Sequence, residues 1–302
     1  MRIPRFLPGL FFLTTSFISH PQAQTAPRME YGKIVYNAGS ATVQTNDSRA
    51  LAQAVVAIRQ EYGWLVDYED PIYSGSELVD ARTLYEDWYL AHPGLKSGLV
   101  AAGGPFVSTY AESFDPAKST DADRAAVLTQ VLSDYAKTGY AGHFVLQQLG
   151  PGRLAVIGQN SGNSILSTTI SVDFDHTSAF EALENMLHIV GTKTGYRVGL
   201  GFIPNNPLMQ CIITSSFTDK TARFILQSVL DSCSLPLTWQ ALHGGVHNNF
   251  YLVNLDSAVR VFTDAKGNRR YGPPPPLKSV PGCPVAVVES HAPDHCPPTP
   301  PR

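Results

Sequence analysis

The sequence predicts an α+β protein built as two tandem βαββαββ-type small modules with a proline-rich extended tail. Three observations predict this. The order strand, helix, strand, strand, helix, strand, strand occurs at about 33–160 and again at about 164–257. The apolar stripes of the helices match between the copies: Leu51, Val55 and Ile58 fall opposite Leu183, Leu187 and Val190, and Leu128, Val131 and Leu132 opposite Leu226, Val229 and Leu230. From Gly272 to Arg302 there are eleven prolines, which favour extended polyproline II and cannot build a helix or sheet core. The expected organisation is a signal peptide over 1–25, a first module over 30–160 with an insertion at 71–103, a second module over 164–257 and a tail over 258–302.

In the first module, Lys33 to Tyr36 and Ala41 to Thr45 read as strand. Asp47 or Ser48 then caps a helix, because a short oxygen-bearing side chain accepts from the free first-turn amides. Leu51, Val55, Ile58 and Tyr62 share its inner face, and Gly63 ends it. Trp64 to Tyr68 is the next strand. Gly104 to Ala111 follows, with Phe106, Ser108 and Tyr110 on one side. Thr120 opens the second helix, with Asp123 completing a capping box. His143 to Gln148 and Arg153 to Gly158 form a hairpin across Gly150-Pro151-Gly152.

The second module repeats the order. Ile165 to Phe174 is strand, Ser178 and Glu181 form a capping box, and Gly195 ends the helix. Tyr196 to Phe202 and Cys211 to Phe217 are strands. Thr218 opens the second helix, and Leu237 to Leu242 and Asn249 to Asn254 close the module. Where this copy crosses with Ile203 to Gln210, the first copy inserts Pro71 to Gly103, rich in Tyr73, Tyr85, Trp88 and Tyr89. A connection that long is usually either functional or disordered. Within it Ser76 to Leu90 reads as an amphipathic helix.

Composition bounds the function class. Hydrophobic residues are 43% and charged residues 16% of the 302, a globular balance. The net charge of -3 gives no basic field for nucleic acid. Arg2 and Arg5, the apolar run Phe6 to Ile18 and the small residues Ala23, Thr25 and Ala26 make a secretory signal too short to span a bilayer. Its removal would take two arginines with it, moving the charge from -3 to -5. The expected location is the periplasm or the exterior, with no membrane span after cleavage. Secretion places the four cysteines in an oxidising compartment. We take Cys211 with Cys233 and Cys283 with Cys296 among the three possible connectivities.

The second module resembles the short periplasmic domain at the N-terminus of secretins and TonB-dependent signalling receptors. The matching text is Thr177-Ser-Ala-Phe-Glu-Ala-Leu-Glu-Asn-Met-Leu, Gly195-Tyr-Arg-Val-Gly-Leu, Thr221-Ala-Arg-Phe-Ile-Leu-Gln-Ser-Val-Leu and Phe250-Tyr-Leu-Val-Asn. The first module resembles it more faintly. The resemblance implies helices against small sheets and a docking role, with no catalytic residues. No secretin pore or TonB-dependent barrel follows the module within this sequence, so a fold and a tendency to bind protein are what carry over.

Candidate chemistry is sparse. Asp67, Glu69 and Asp70 are the densest acidic cluster, suited to acid/base work or Ca²⁺; the plainer reading is a solvated strand end before Pro71. His243 and His247 have metal-ligand spacing only on a helix, and Gly244-Gly245 favours a turn. His291 and His295 with Cys283 and Cys296 match no familiar zinc spacing, and no metal or cofactor is expected. There is no Gly-x-Ser-x-Gly elbow and no phosphate loop. The binding candidates are Tyr73, Tyr85, Trp88 and Tyr89 with Glu69 and Asp70 at their base, forming either a groove for peptide or glycan or a lid packed on its own module. The leading expectation is a non-enzymatic envelope protein that docks to another envelope protein. The alternatives are an envelope hydrolase using Glu69 and Asp70, and a structural spacer.

Overall fold

The computed structural model describes residues 32–111, 118–159, 164–233, 236–244 and 249–259, and the backbone of 261–263 and 269–271. The signal segment, the Cys283–Cys296 pair, His247, His291, His295 and the proline-rich run lie outside the described residues. The chain is α+β. Its strands are β1 (Lys33–Asn37), β2 (Ser40–Asp47), β3 (Leu65–Glu69), β4 (Leu78–Asp80), β5 (Leu99–Ala101), β6 (Gly104–Ala111), β7 (Phe144–Gly150) and β8 (Arg153–Gly158) in the first half. They are β9 (Thr169–Ser178), β10 (Arg197–Leu200), β11 (Ile212–Thr221), β12 (Leu237–His243) and β13 (Phe250–Ser257) in the second. The helices are α1 (Ala50–Tyr62), α2 (Ala81–Leu84), α3 (Glu86–Ala91), α4 (Asp121–Ala136), α5 (Ala179–Thr194), α6 (Asn205–Gln210) and α7 (Ala222–Ser232).

Local chemistry sets most boundaries where the sequence puts them. Thr120 with Asp123 and Ser178 with Glu181 form the capping boxes of α4 and α5. Gly63 and Gly195 end α1 and α5 in the left-handed conformation at φ 68° and 74°, a geometry that costs a side-chain-bearing residue energy. The start of α1 differs from expectation. Its cap position is Arg49, and Asp47 acts from outside by accepting the Arg49 N–H at 2.7 Å. The second half differs as well: Ile165 to Ser167 is a 3₁₀ turn before β9, β10 is shorter than expected, the crossing that follows it contains α6, and β11 runs on to Thr221, which caps α7 in place of Thr218.

The two halves follow one chain path. In the first, β2 pairs antiparallel with β6, β3 runs parallel to β8, and β7 closes antiparallel on β8. In the second, β9 pairs antiparallel with β11, β10 runs parallel to β13, and β12 closes antiparallel on β13. Each half encloses its own core: Leu51, Val55, Ile58, Leu128 and Val131 in one, Leu183, Leu187, Val190, Leu226 and Val229 in the other. The halves are not beads on a string, because β12 pairs in parallel with β3 and makes one six-stranded sheet, ordered β10-β13-β12-β3-β8-β7.

The insertion is not one helix. Ser74 and Glu77 cap a 3₁₀ turn, β4 pairs with β5, and the helical part splits into α2 and α3. Tyr73, Leu78 and Ala101 bury with Ala141 in a small core of their own, whereas Leu90 stays 71% exposed. Asp80 breaks the helical run, since its carboxylate accepts the Arg82 N–H at 2.8 Å as a cap rather than sitting inside a helix. The region expected to be tail from 258 onward contains a short antiparallel pair, β14 (Val261–Thr263) with β15 (Arg269–Tyr271).

Cys211 and Cys233 are bridged across 22 residues, joining the entry of β11 to the end of α7. In the chain-entropy account a loop of this size contributes about 3 kcal/mol. Cys233→Ser should therefore lower the urea midpoint under oxidising conditions and leave it level with the unsubstituted chain in reductant. An equal deficit in reductant would trace the loss to packing at Cys233 instead.

Candidate functional site

The acidic cluster sits where water cannot reach it. β3 lies between β12 and β8 inside the six-stranded sheet, so Asp67, Glu69 and Asp70 are buried at 0–1% exposure. The solvated strand end expected from sequence is wrong, because pairing on both sides leaves the strand no open edge. An unpaired buried carboxylate is prohibitively costly, and each of these has acquired an arginine.

Asp67 receives Arg153 Nη1 on both oxygens at 3.0 and 3.1 Å, and the Trp239 N–H at 2.9 Å. Arg153 Nη2 also donates to the Leu237 carbonyl at 2.8 Å and to Asp231 at 3.2 Å. Glu69 Oε2 is clasped by Arg223 through Nε at 3.1 Å and Nη2 at 2.7 Å, while Oε1 accepts from the Ser164 hydroxyl. Asp70 Oδ2 pairs with Arg49 Nε at 2.8 Å and accepts the His243 N–H at 3.0 Å. Its Oδ1 accepts the hydroxyls of Tyr68 and Tyr73, both at 2.8 Å. Arg59, also buried, bonds Thr238 at 2.8 Å and Asp256 at 2.7 Å.

Most of these bonds cross from one half of the chain to the other, although Arg153 and Arg49 reach Asp67 and Asp70 from within the first half. The backbone ladder of β12 on β3 covers only Gln240 with Tyr68 and Ala241 with Glu69, plus the Asp70 N–H to the Ala241 carbonyl at 2.8 Å. Asp67 and Asp70 lengthen it from either end by accepting the Trp239 and His243 amides. The acidic triplet is thus the seam of the molecule.

The electrostatics follow from burial and these partners. Burial is the largest influence on the Arg49 guanidinium and lowers it, but Asp70 together with Tyr73 and Tyr68 outweighs that and raises it. Burial and the Asp70 charge push the Tyr68 and Tyr73 hydroxyls well above the ordinary phenol range. Burial pushes the Asp67 carboxyl up, against the pull of Arg153 and the Trp239 amide. His243 is lowered, first by burial and then by Arg49, with Asp70 opposing. A general base needs a lone pair aimed at a substrate proton, and the carboxylate oxygens here are occupied by donors of the protein itself.

The remaining predicted residues separate. Tyr73 belongs to the seam. Tyr85 accepts the Ser48 N–H at 3.3 Å next to the start of α1. Trp88 and Tyr89 on α3 are half-buried against local groups: Trp88 stacks on His92 at 4.6 Å and meets Tyr89 edge-on at 5.0 Å, and Arg82 lies over the Tyr89 ring. The structure therefore joins Glu69, Asp70 and Tyr73, and gives Trp88 and Tyr89 a separate aromatic cluster.

Sequence reasoning missed the arginines and the box around His243. His243 ends β12 and is buried, with its ring centroid 4.8 Å from Tyr251 and 6.1 Å from both Tyr73 and Tyr196. Its Nδ1 and the Tyr251 hydroxyl have no hydrogen-bond partner among the described residues. A signal for the arginines was present, since Arg59 interrupts the apolar helix α1 and Arg153 opens an otherwise apolar strand, and each needs a counter-charge. Among the described residues no group of three or more His, Cys, Asp or Glu side chains could hold a metal ion. Comparison with protein-family models, curated proteins and solved structures gave no match.

Arg153→Ala strands a buried carboxylate and should cost about 3–5 kcal/mol in urea unfolding. Adding Asp67→Asn should recover part of that loss, and strictly additive costs would show that the pair does not couple. His243 is held neutral in the folded chain, with its proton affinity below the unfolded value near 6.5. Its contribution is full above that pH and is lost as pH falls below it. His243→Phe should flatten the decline in stability between pH 7 and 5, and an unchanged slope would assign the decline to other groups.

Proposed function

We propose that this chain is a non-enzymatic docking protein of the cell envelope, periplasmic or secreted, that binds another envelope protein. One observation carries the reading: the charged residues that chemistry would need are spent on the seam, while apolar groups at sheet edges and on the insertion remain uncovered. Asp67, Glu69 and Asp70 each have an arginine partner. Leu90 beside Trp88 and Tyr89, Phe202 at the end of β10, and Met209 and Ile212 nearby in sequence all face solvent. Aromatic and large apolar side chains are the groups that protein interfaces favour.

The location is supported by the Cys211–Cys233 bridge, which suits an oxidising compartment. No helix among the described residues is long and apolar enough to cross a membrane. The resemblance to the short domain of secretins and TonB-dependent receptors points the same way, toward docking. The hydrolase reading needs an open carboxylate at Glu69 or Asp70 and draws no support from their occupied oxygens.

The Trp88 and Tyr89 cluster is the proposed contact with the envelope partner. Trp88→Ala should reduce capture of the partner from envelope extract about tenfold, the effect of one interface anchor, with little change in melting temperature. Capture that persists unchanged would remove the insertion from the interface.

A further inference from the structure

The seam between the halves is head-to-tail: the hairpin strand of the second half, β12, adds to the first parallel strand of the other half, β3. A contact between two unlike surfaces leaves one of each unused at the ends of the array. The unused pair can be named from the pairing registers. β3 corresponds to β10, because Leu65 opposite Arg153 matches Arg197 opposite Phe250. β7 corresponds to β12, because both are the antiparallel partners of the strands so matched. Among the described residues, β7 and β10 are the two outer strands of the six-stranded sheet.

We infer that the sheet is continued between copies of this chain, with β7 of one molecule adding in parallel to β10 of the next as β12 adds to β3 within it. The inference rests on the docking reading above and names a second copy as a partner of the sheet edge. Transferring the internal register places Val145 opposite Leu200 and Leu146 opposite Gly201 of the next copy.

The edges suit this occupant. On β10, Arg197 and Gly201 direct their N–H groups inward to Asn249 and Val253, so strand alternation turns the Val198 and Leu200 peptides outward. On β7 the His143 carbonyl is taken by Gln159, which turns Phe144, Leu146 and Gln148 outward by the same alternation. Soluble proteins usually blunt such edges with lysine or proline, yet β7 reads Phe-Val-Leu-Gln-Gln-Leu-Gly with neither, and β10 carries only Arg197 at its start. The buried acids of the seam are replaced on β10: Asp67, Glu69 and Asp70 correspond to Gly199, Gly201 and Phe202. A strand laid there buries no unpaired charge, meets open space above Gly199, and can cover Phe202, which is 71% exposed. The Phe202 N–H is held by Asn254 Oδ1, so the added ladder would be short. Without the arginine clasps or a tether, the association is weak and concentration-dependent.

Leu200→Pro removes the outward amide of β10 and Leu146→Pro that of β7, and proline is tolerated at edge positions. The full chain is followed by sedimentation velocity from about 1 µM to about 1 mM, the range in which weak contacts dissociate. The unsubstituted chain should grow in mass past a dimer, because an unlike-surface contact continues into rings or filaments. Each variant alone should remain monomeric, and an equimolar mixture should give a dimer that grows no further, since one open edge of each kind remains. Leu200→Lys and Leu146→Lys serve in the same design if circular dichroism shows a proline variant unfolded. A monomeric unsubstituted chain overturns the proposal and leaves the edges to the chain's own tail or an unlike partner. Variants that associate alone, or a mixture that stays monomeric, overturn it equally. Loss of envelope capture in Trp88→Ala would still support the docking reading in that case.

Discussion

The pairing of β12 with β3 governs the architecture. Two small α+β halves, each with its own core, could have been joined by a linker and left to move. Instead a two-residue backbone ladder links them, extended by carboxylates that accept the next amides along. Every charge at this seam is answered: Asp67 by Arg153, Glu69 by Arg223, Asp70 by Arg49, and Arg59 by Asp256. Buried ion pairs of this kind contribute little net stability compared with apolar packing, because both charges lose their hydration. Their effect is selective. A register slip of one residue would break the pairs that cross between the halves, Glu69 with Arg223 and Arg59 with Asp256, and strand buried charges, so the seam disfavours a slipped alignment more than it rewards the native one.

That role also explains why the acidic cluster makes a poor catalytic candidate. Reactive carboxylates keep a lone pair or a proton available to a substrate. Here two tyrosine hydroxyls, the Ser164 hydroxyl, two arginines and two backbone amides converge on Asp70 and Glu69, and burial holds those phenols protonated. Pre-organisation of this sort fixes geometry rather than promoting reaction. The apolar groups left uncovered lie at the margins instead, with Leu90 on α3 and Phe202 just past β10 both 71% exposed.

The difference between the halves sharpens this. The first half carries the acids that receive β12, whereas the same positions of the second half hold Gly199, Gly201 and Phe202. The first half thus presents a charge-locked edge to β12, and the matching edge of the second half, β10, carries no acid.

Local rules made much of the fold legible. Capping boxes at Thr120 and Ser178, the left-handed glycines at 63 and 195, and the helical stripes around Leu51, Leu128, Leu183 and Leu226 depend on residues within a turn or two of one another. The like order of elements in the two halves could be read from those local patterns, whereas the bridge between Cys211 and Cys233, one of three possible connectivities, closes over 22 residues. The insertion defeated the helical period because Asp80 caps α2 instead of continuing a helix, a competition that periodicity does not register. The burial of Asp67, Glu69 and Asp70 was beyond reach for a different reason. Whether a carboxylate on a strand meets water or an arginine is set by what lies beside the strand. That neighbour, β12, is more than 150 residues away in sequence at the Asp70–His243 contact, where the separation is 173. Sequence determined the elements and their order, while tertiary pairing alone decided which of their polar groups became structure and which were left at the surface.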